Sequence, residues 1–169
     1  VTEFRRVLFR SCMRNSDAEK IRALPLFSEM TEAHFDALAR AALLQTFPER
    51  ITLIHEGDQP DFLHILVQGS VELFTTWQKR ETTLDIARPL ATFILAAVIR
   101  DEAYLKSART LSESQVLLIP ADAVRDVFGR DAAFARSIVS ELAERYRHIV
   151  RILKDQKLRT GIERLANWR

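Results

Sequence analysis

Between Leu53 and Phe74 the chain reads LIHEGDQPDFLHILVQGSVELF. Two apolar runs flank the turn-forming cluster Gly57-Asp58-Gln59-Pro60, and Gly69 interrupts the second run. Alternation of apolar and polar residues is the period of a strand with one buried face, and Gly/Pro punctuation keeps each strand short. The rhythm holds from Ile51 to Pro120. Ile51 and Leu53 alternate with polar neighbours, Leu63, Ile65 and Val67 share one face, and Val71 and Leu73 repeat the pattern. Trp77 to Thr82 reads as a polar hairpin loop, after which Leu84 and Ile86 resume a strand, and Val116 to Ile119 forms another. Several short strands with frequent turns predict a β-roll or barrel rather than a βαβ sheet.

Helical periods flank the roll. Ser16-Asp17-Ala18-Glu19 has the spacing of a capping box, so a short helix is expected to stop before Pro25. Thr31 and Glu32 open a second, with Phe35, Leu38, Ala39, Ala42 and Leu43 as its apolar stripe. Past the roll, Pro120 to Phe128 forms a short helix, and Gly129 is placed as its C′ residue. Asp131 is the expected N-cap of a long helix over 132–158. On that helix Val139, Leu142, Tyr146, Ile149, Leu153 and Gln156 are spaced alternately three and four residues apart. That is a heptad seam and predicts a partner helix, hence a homodimer, with Gln156 setting register. Glu141 with Arg145 and Glu144 with His148 are i,i+4 pairs of favourable orientation. The fold class is therefore α+β: a jelly roll between N-terminal helices and a long C-terminal dimerisation helix.

Composition bounds the function. The 169 residues are 47% hydrophobic and carry a net charge of +2, with acids and bases spread along the chain, unlike a strongly basic nucleic-acid surface. Cys12 is the single cysteine, so disulfide frameworks and multi-thiolate zinc or iron–sulfur sites are excluded. No apolar run approaches the roughly 20 residues that span a bilayer, and the expected compartment is the cytoplasm. Residues 1–12 read either as a translated scar ahead of Met13 or as a disordered basic-apolar arm for a membrane or nucleic acid. Residues 13–130 make the roll unit, 131–158 the dimerisation helix. At 159–169 Gly161 breaks the helix, and Ile162, Leu165 and Trp168 begin another; a further domain is expected to follow.

Over about residues 20–168 the chain resembles the Crp/Fnr family of bacterial transcription regulators. The roll motif is carried by Leu53-Ile54, Gly57-Asp58, the run Phe62 to Val67, and Gly69, with Pro60 where a small residue is usual. The segment LRTGIERLANW resembles the family's lead from the long helix into a winged helix-turn-helix, which these residues do not contain. The resemblance implies a cyclic-nucleotide-binding-like double-stranded β-helix. It also implies a small-molecule effector between the roll and the long helices, a homodimer, and DNA recognition by the following domain.

In that family, cyclic-nucleotide binders carry a Gly-Glu pair, then Arg-Ser/Thr-Ala about ten residues later. The Glu accepts from the ribose hydroxyl, and the Arg pairs with the phosphate. Here the corresponding stretches are Phe93-Ile94-Leu95-Ala96-Ala97 and Lys106-Ser107-Ala108. Leu95 stands for the Gly, Ala96 for the Glu and Lys106 for the Arg, while Ile149 and Val150 stand where the long helix would offer hydroxyls. The pattern reads against cAMP. The residues then predict an apolar lining of Phe93, Ile94, Leu95, Ala96, Ala97 and Val98, with Tyr104, Lys106, Ser107, Ala108 and Ile149 beside it. Either the roll is filled and has no ligand, or it takes a non-nucleotide effector.

The resemblance leaves haem open as the cofactor, as in family members that sense nitric oxide or carbon monoxide. Haem needs an axial ligand. Of His34, His55, His64 and His148, none sits in a haem motif. His64 is expected to be solvated or hydrogen-bonded, and His148 to partner Glu144. Rival classes are a cupin-like metal enzyme and the regulatory domain of a kinase or channel. His55-Glu56 and His64 lack the His-x-His spacing of the first, and LRTGIERLANW weighs against the second. No nucleophile elbow, P-loop, catalytic set or metal-ligand set is present in the sequence.

Overall fold

The computed structural model describes residues 15–78 and 80–158. The readings made for 1–12, Met13 and 159–169 lie outside the described residues. In chain order the elements are α1 (Asn15–Arg22), α2 (Pro25–Ser28), α3 (Glu32–Ala41), β1 (Leu43–Phe47), β2 (Thr52–Ile54), β3 (Phe62–Gln68), β4 (Val71–Trp77), β5 (Arg80–Ala87), β6 (Thr92–Phe93), α4 (Leu95–Arg100), β7 (Ser107–Thr110), β8 (Ser114–Pro120), α5 (Ala121–Arg130) and α6 (Ala132–Leu158). The strands form two four-stranded sheets, ordered β1-β8-β3-β6 and β2-β7-β4-β5. Every pairing is antiparallel, and apart from the β4–β5 hairpin the paired strands are not consecutive in sequence. This is the roll that the alternation predicted, with helices before and after it.

Two cores result. Leu63 and Ile65 of β3 face the helices, packing with Leu38, Val124, Phe134 and Ile138. Leu66 faces the roll interior with Phe93, Val116 and Leu118. A strand covered on both sides loses its polar face, which is why β3 runs FLHILVQ with four consecutive buried residues. Among the described residues no helix is long and apolar enough to cross a membrane.

Gly69 sits at φ +96° in the turn between β3 and β4. A Cβ there would collide with Ser114 Oγ and lie 2.5 Å from the Glu113 carbonyl oxygen. Both the left-handed backbone and the close approach require glycine.

Several local expectations change. The stripe assigned to the second helix ends early: Ala42 is extended, at φ −74° and ψ 147°, and Leu43 opens β1. Leu43 pairs with Leu118 across the sheet, and that tertiary partner overrides helical spacing. The capping-box Ser16 lies inside α1, one residue past its start. The six-residue hairpin loop is shorter, because β4 and β5 stay paired as far as Trp77 with Arg80, and Gln78 takes φ 48° to close the turn. Gly129 lies within α5 rather than at C′. α5 passes into α6 through Asp131 alone, at φ −111° and ψ 103°, so no left-handed residue is needed there.

Asp131 performs the capping role expected of it. Its Oδ1 accepts from the backbone N–H of Ala133 at 3.0 Å and of Phe134 at 2.9 Å. Its Oδ2 accepts from the Thr31 N–H at 2.9 Å, the Thr31 hydroxyl at 3.0 Å and His34 Nδ1 at 2.9 Å. One carboxylate thus ties the start of α3 to the start of α6. The Phe134 N–H foremost, then Thr31 and His34, holds its pKa well below the ordinary carboxylate value, against the opposing effect of burial.

Candidate effector groove between the roll and the long helix

β5 is the edge strand of the second sheet, and α6 runs beside it. Between them lies a groove of about 1210 Å³, lined by Ala91, Thr92 and Phe93 and by Lys106, the residue before β7. The anchor of this arrangement is Arg145. Its Nε donates to Glu141 Oε1 at 2.9 Å. Its Nη2 donates to the Thr92 hydroxyl at 3.0 Å and to the Thr92 carbonyl oxygen. The i,i+4 pair predicted from the sequence is present, and the same guanidinium fastens α6 to β6 across 53 residues.

Both walls mix apolar and charged side chains. Leu84 and Ile86 project from one side of β5, 52% and 49% exposed. Opposite them are Ile149, Ile152 and Leu153 of α6, 61%, 42% and 47% exposed. Five cations (Arg88, Lys106, Arg145, Arg147, Arg151) line the groove against three acids, Asp85, Glu141 and Glu144. Burial lowers the pKa of Lys106 from its ordinary value, the nearby Arg145 cation lowers it further, and Asp85 acts the other way.

Of the residues expected at the pocket, Phe93, Lys106 and Ile149 line this groove. The others lie elsewhere. Ile94, at φ 64°, packs in the roll core, as does Ala108, and Ala97 packs against that core. Leu95 and Val98 are buried in the helix-side core, and Ala96 is exposed on α4. The stretch LAAVIR is helical because Leu95 and Val98 recur at the spacing of one helix face. Ser107 is buried, and its Oγ accepts from the Glu56 N–H at 3.0 Å. Arg109 donates to Glu72 at 2.9 Å and to Glu81 at 3.1 Å, with its guanidinium 4.5 Å from the centre of the Phe74 ring. Tyr104 is buried, its hydroxyl donates to the Phe62 carbonyl at 3.4 Å, and burial pushes its pKa up to about 12.

His64 is hydrogen-bonded as expected but not solvated. It is 6% exposed, its ring lies tilted by 33° to that of Phe93 with centroids 5.3 Å apart, and Nδ1 donates to the Phe62 carbonyl at 3.1 Å. Burial pushes its pKa down to about 4. His148 lines the groove. Among the described residues no three His, Cys, Asp or Glu side chains are placed to hold a metal ion. Residue-by-residue reading missed Thr92, Leu84, Ile86 and Arg88. The available signal was that Arg145, Ile149 and Ile152 share a helix face with a charged end.

A family model for the cyclic nucleotide-binding domain matches residues 44–131. The chain belongs to that family. No curated relative matches it in sequence. Among solved structures, it is similar to the sensor domain of the transcriptional regulator DNR from Pseudomonas aeruginosa, at 16% identity and TM-score 0.69, covering 85% of this chain and 99% of that one. It is also similar to the Thermus thermophilus catabolite activator protein, at 23% and 0.66, covering 77% and 62%. A third is the regulatory domain of Toxoplasma gondii PKA with cAMP, at 18% and 0.62, covering 66% and 43%. At these identities the likeness is one of fold, and the cyclic nucleotide-binding domain of residues 44–131 is the part of the chain that forms the roll and leads into α6.

Proposed function

We propose that this chain is the effector-sensing and dimerising region of a Crp/Fnr-like DNA-binding transcription regulator, cytoplasmic and without catalytic activity. The observation that carries the proposal is the overlap of two surfaces on α6. Val139, Tyr146, Ile149 and Leu153 leave apolar side chains 61%, 69%, 61% and 47% exposed along a heptad seam. Ile149, Leu153 and Gln156 of that seam also line the groove. A groove ligand and a partner helix would therefore touch the same side chains. A ligand that contacts one inter-helix angle better than another shifts the dimer toward it by that difference in affinity. In the resemblance the long helix leads into the DNA-binding domain, so the angle would reach the recognition helices. The likeness in fold takes in DNR, the Thermus activator and a PKA regulatory domain alike, and the apolar seam along α6 is what favours the regulator over a kinase or channel module.

The effector we propose is not cAMP. Ala96 offers no acceptor for a ribose hydroxyl, Leu95 directs its side chain into the core, and Lys106 lacks a bidentate fork. A second reading, haem-based sensing of nitric oxide or carbon monoxide, is favoured by one fact: His148 lines a groove that also holds Lys106 and Arg145. Native mass spectrometry of the chain produced in a haem-competent host, with an absorption spectrum of the same sample, tests both. A dimer supports the regulator, and a monomer at every concentration overturns it. A Soret band lost in His148→Ala establishes the haem reading, and no band at bare polypeptide mass removes it.

A further inference from the structure

We propose that the groove takes an amphipathic organic anion, its acid group between Lys106 and Arg145 and its apolar body between β5 and α6. This rests on the effector reading above and names the class of ligand.

The acid end is argued from charge. Lys106 is half-buried, and the charges acting on it are Arg145, which disfavours its charged form, and Asp85, which favours it less strongly. Arg145 is itself paired with Glu141 through Nε and Nη2 and donates from Nη2 to Thr92, which leaves Lys106 the less compensated of the two cations. Two cations drawn partly out of water without full compensation destabilise each other and invite an anion. The apolar end is argued from surface. Leu84 and Ile86 on one wall, and Ile149, Ile152 and Leu153 on the other, form two facing apolar strips open to solvent. From Arg145 to Leu153 the strip runs about 12 Å along the helix at 1.5 Å per residue. That length suits a medium acyl chain or an aryl body, with Lys106 and Arg145 beside the start of the strip and Arg147 and Arg151 further along the same lining. A second copy of α6 is a poor occupant, because it would press its own Arg147 and Arg151 against these cations. The apolar row that suits a partner helix is centred on Leu142 and Tyr146, round the helix from Arg145 and Ile152.

The test is isothermal titration calorimetry on the 169-residue chain, with decanoate, 1-decanol, inorganic phosphate and cAMP as probes. Decanoate is expected to bind roughly tenfold or more tightly than decanol, and phosphate far more weakly than either. Lys106→Gln should weaken decanoate about tenfold and leave decanol unchanged. The hydrogen bonds that fasten α6 to β6 come from Arg145 and not from Lys106, so this variant keeps the test sharp where Arg145→Gln would also release Thr92. Equal affinity for decanoate and decanol overturns the acid site. Phosphate matching decanoate overturns the apolar body. cAMP binding with no decanoate binding overturns the ligand class and leaves the effector groove standing. No probe binding to a chain that is also monomeric removes the groove and the effector reading together.

Discussion

Asp131→Ala should be the costliest single polar substitution in the chain. The side chain is 4% exposed and accepts five hydrogen bonds, two from the first turn of α6 and three from α3 and its cap. Loss of an N-cap costs about 1 kcal/mol. The two bonds from Thr31 are charge-assisted and shielded, at about 1.5 kcal/mol each. The His34 contact is weaker, since that side chain is 32% exposed. Together the loss is about 4 kcal/mol, with about half that for Asp131→Asn, which keeps the capping oxygen but not the charge. The assay is urea unfolding at fixed protein concentration, because the proposed dimerisation would make stability concentration-dependent. The folded pKa lies below 3.8, so the charged form stabilises above that value, and the contribution fades as pH falls through the folded pKa. The gap between wild type and Asp131→Asn should therefore close in strong acid. A loss below about 1 kcal/mol for Asp131→Ala at pH 7, or a gap that persists in acid, would refute the idea that this carboxylate fastens α3 to α6.

Further outcomes follow from the same structure. His64 has a folded pKa near 4 against an ordinary 6.5, so the unfolded chain binds the extra proton first. Stability should be full above pH 6.5 and fall by up to about 3 kcal/mol as pH drops toward 4, a slope that His64→Leu should remove in urea titrations. Gly69→Ala should cost about 2–3 kcal/mol by thermal or urea melts, since it meets Ser114 and Glu113 at φ +96°. Gly57→Ala, also at positive φ but in open space, should cost about 1 kcal/mol. Ile149→Glu should convert the dimer to monomer in sedimentation equilibrium. Leu142→Glu should do the same and also lose stability, because Leu142 packs partly on its own core.

Much of this fold was legible because its signals are local. The Asp131 cap and the span of α6 follow from a capping residue ahead of a sustained helical period. The strands β3, β4 and β8 follow from alternation. What failed depends on partners distant in sequence. Leu43 reads as helix until Leu118 is seen beside it, and Gly129 reads as a C′ residue until Asp131 is seen to make the corner alone. The site divides the same way. Phe93, Lys106 and Ile149 could be placed by motif, whereas Thr92, Leu84 and Ile86 become site residues only because α6 folds back over β5 and β6. Ile94 and Leu95 look like pocket lining in an apolar string, yet α4 turns them into core.

The central claim is that the partner seam of α6 overlaps the effector groove at its edge, through Ile149, Leu153 and Gln156, without running along the groove itself. Cysteine scanning along α6 in a Cys12→Ser background tests it most directly, since a disulfide forms only where Cα atoms come within about 7 Å. The account predicts oxidative cross-linking at Val139→Cys, Leu142→Cys, Tyr146→Cys and Ile149→Cys, and little at Arg145→Cys, His148→Cys or Ile152→Cys. Cross-links centred on His148 and Ile152 would place the partner helix in the groove and contradict the claim.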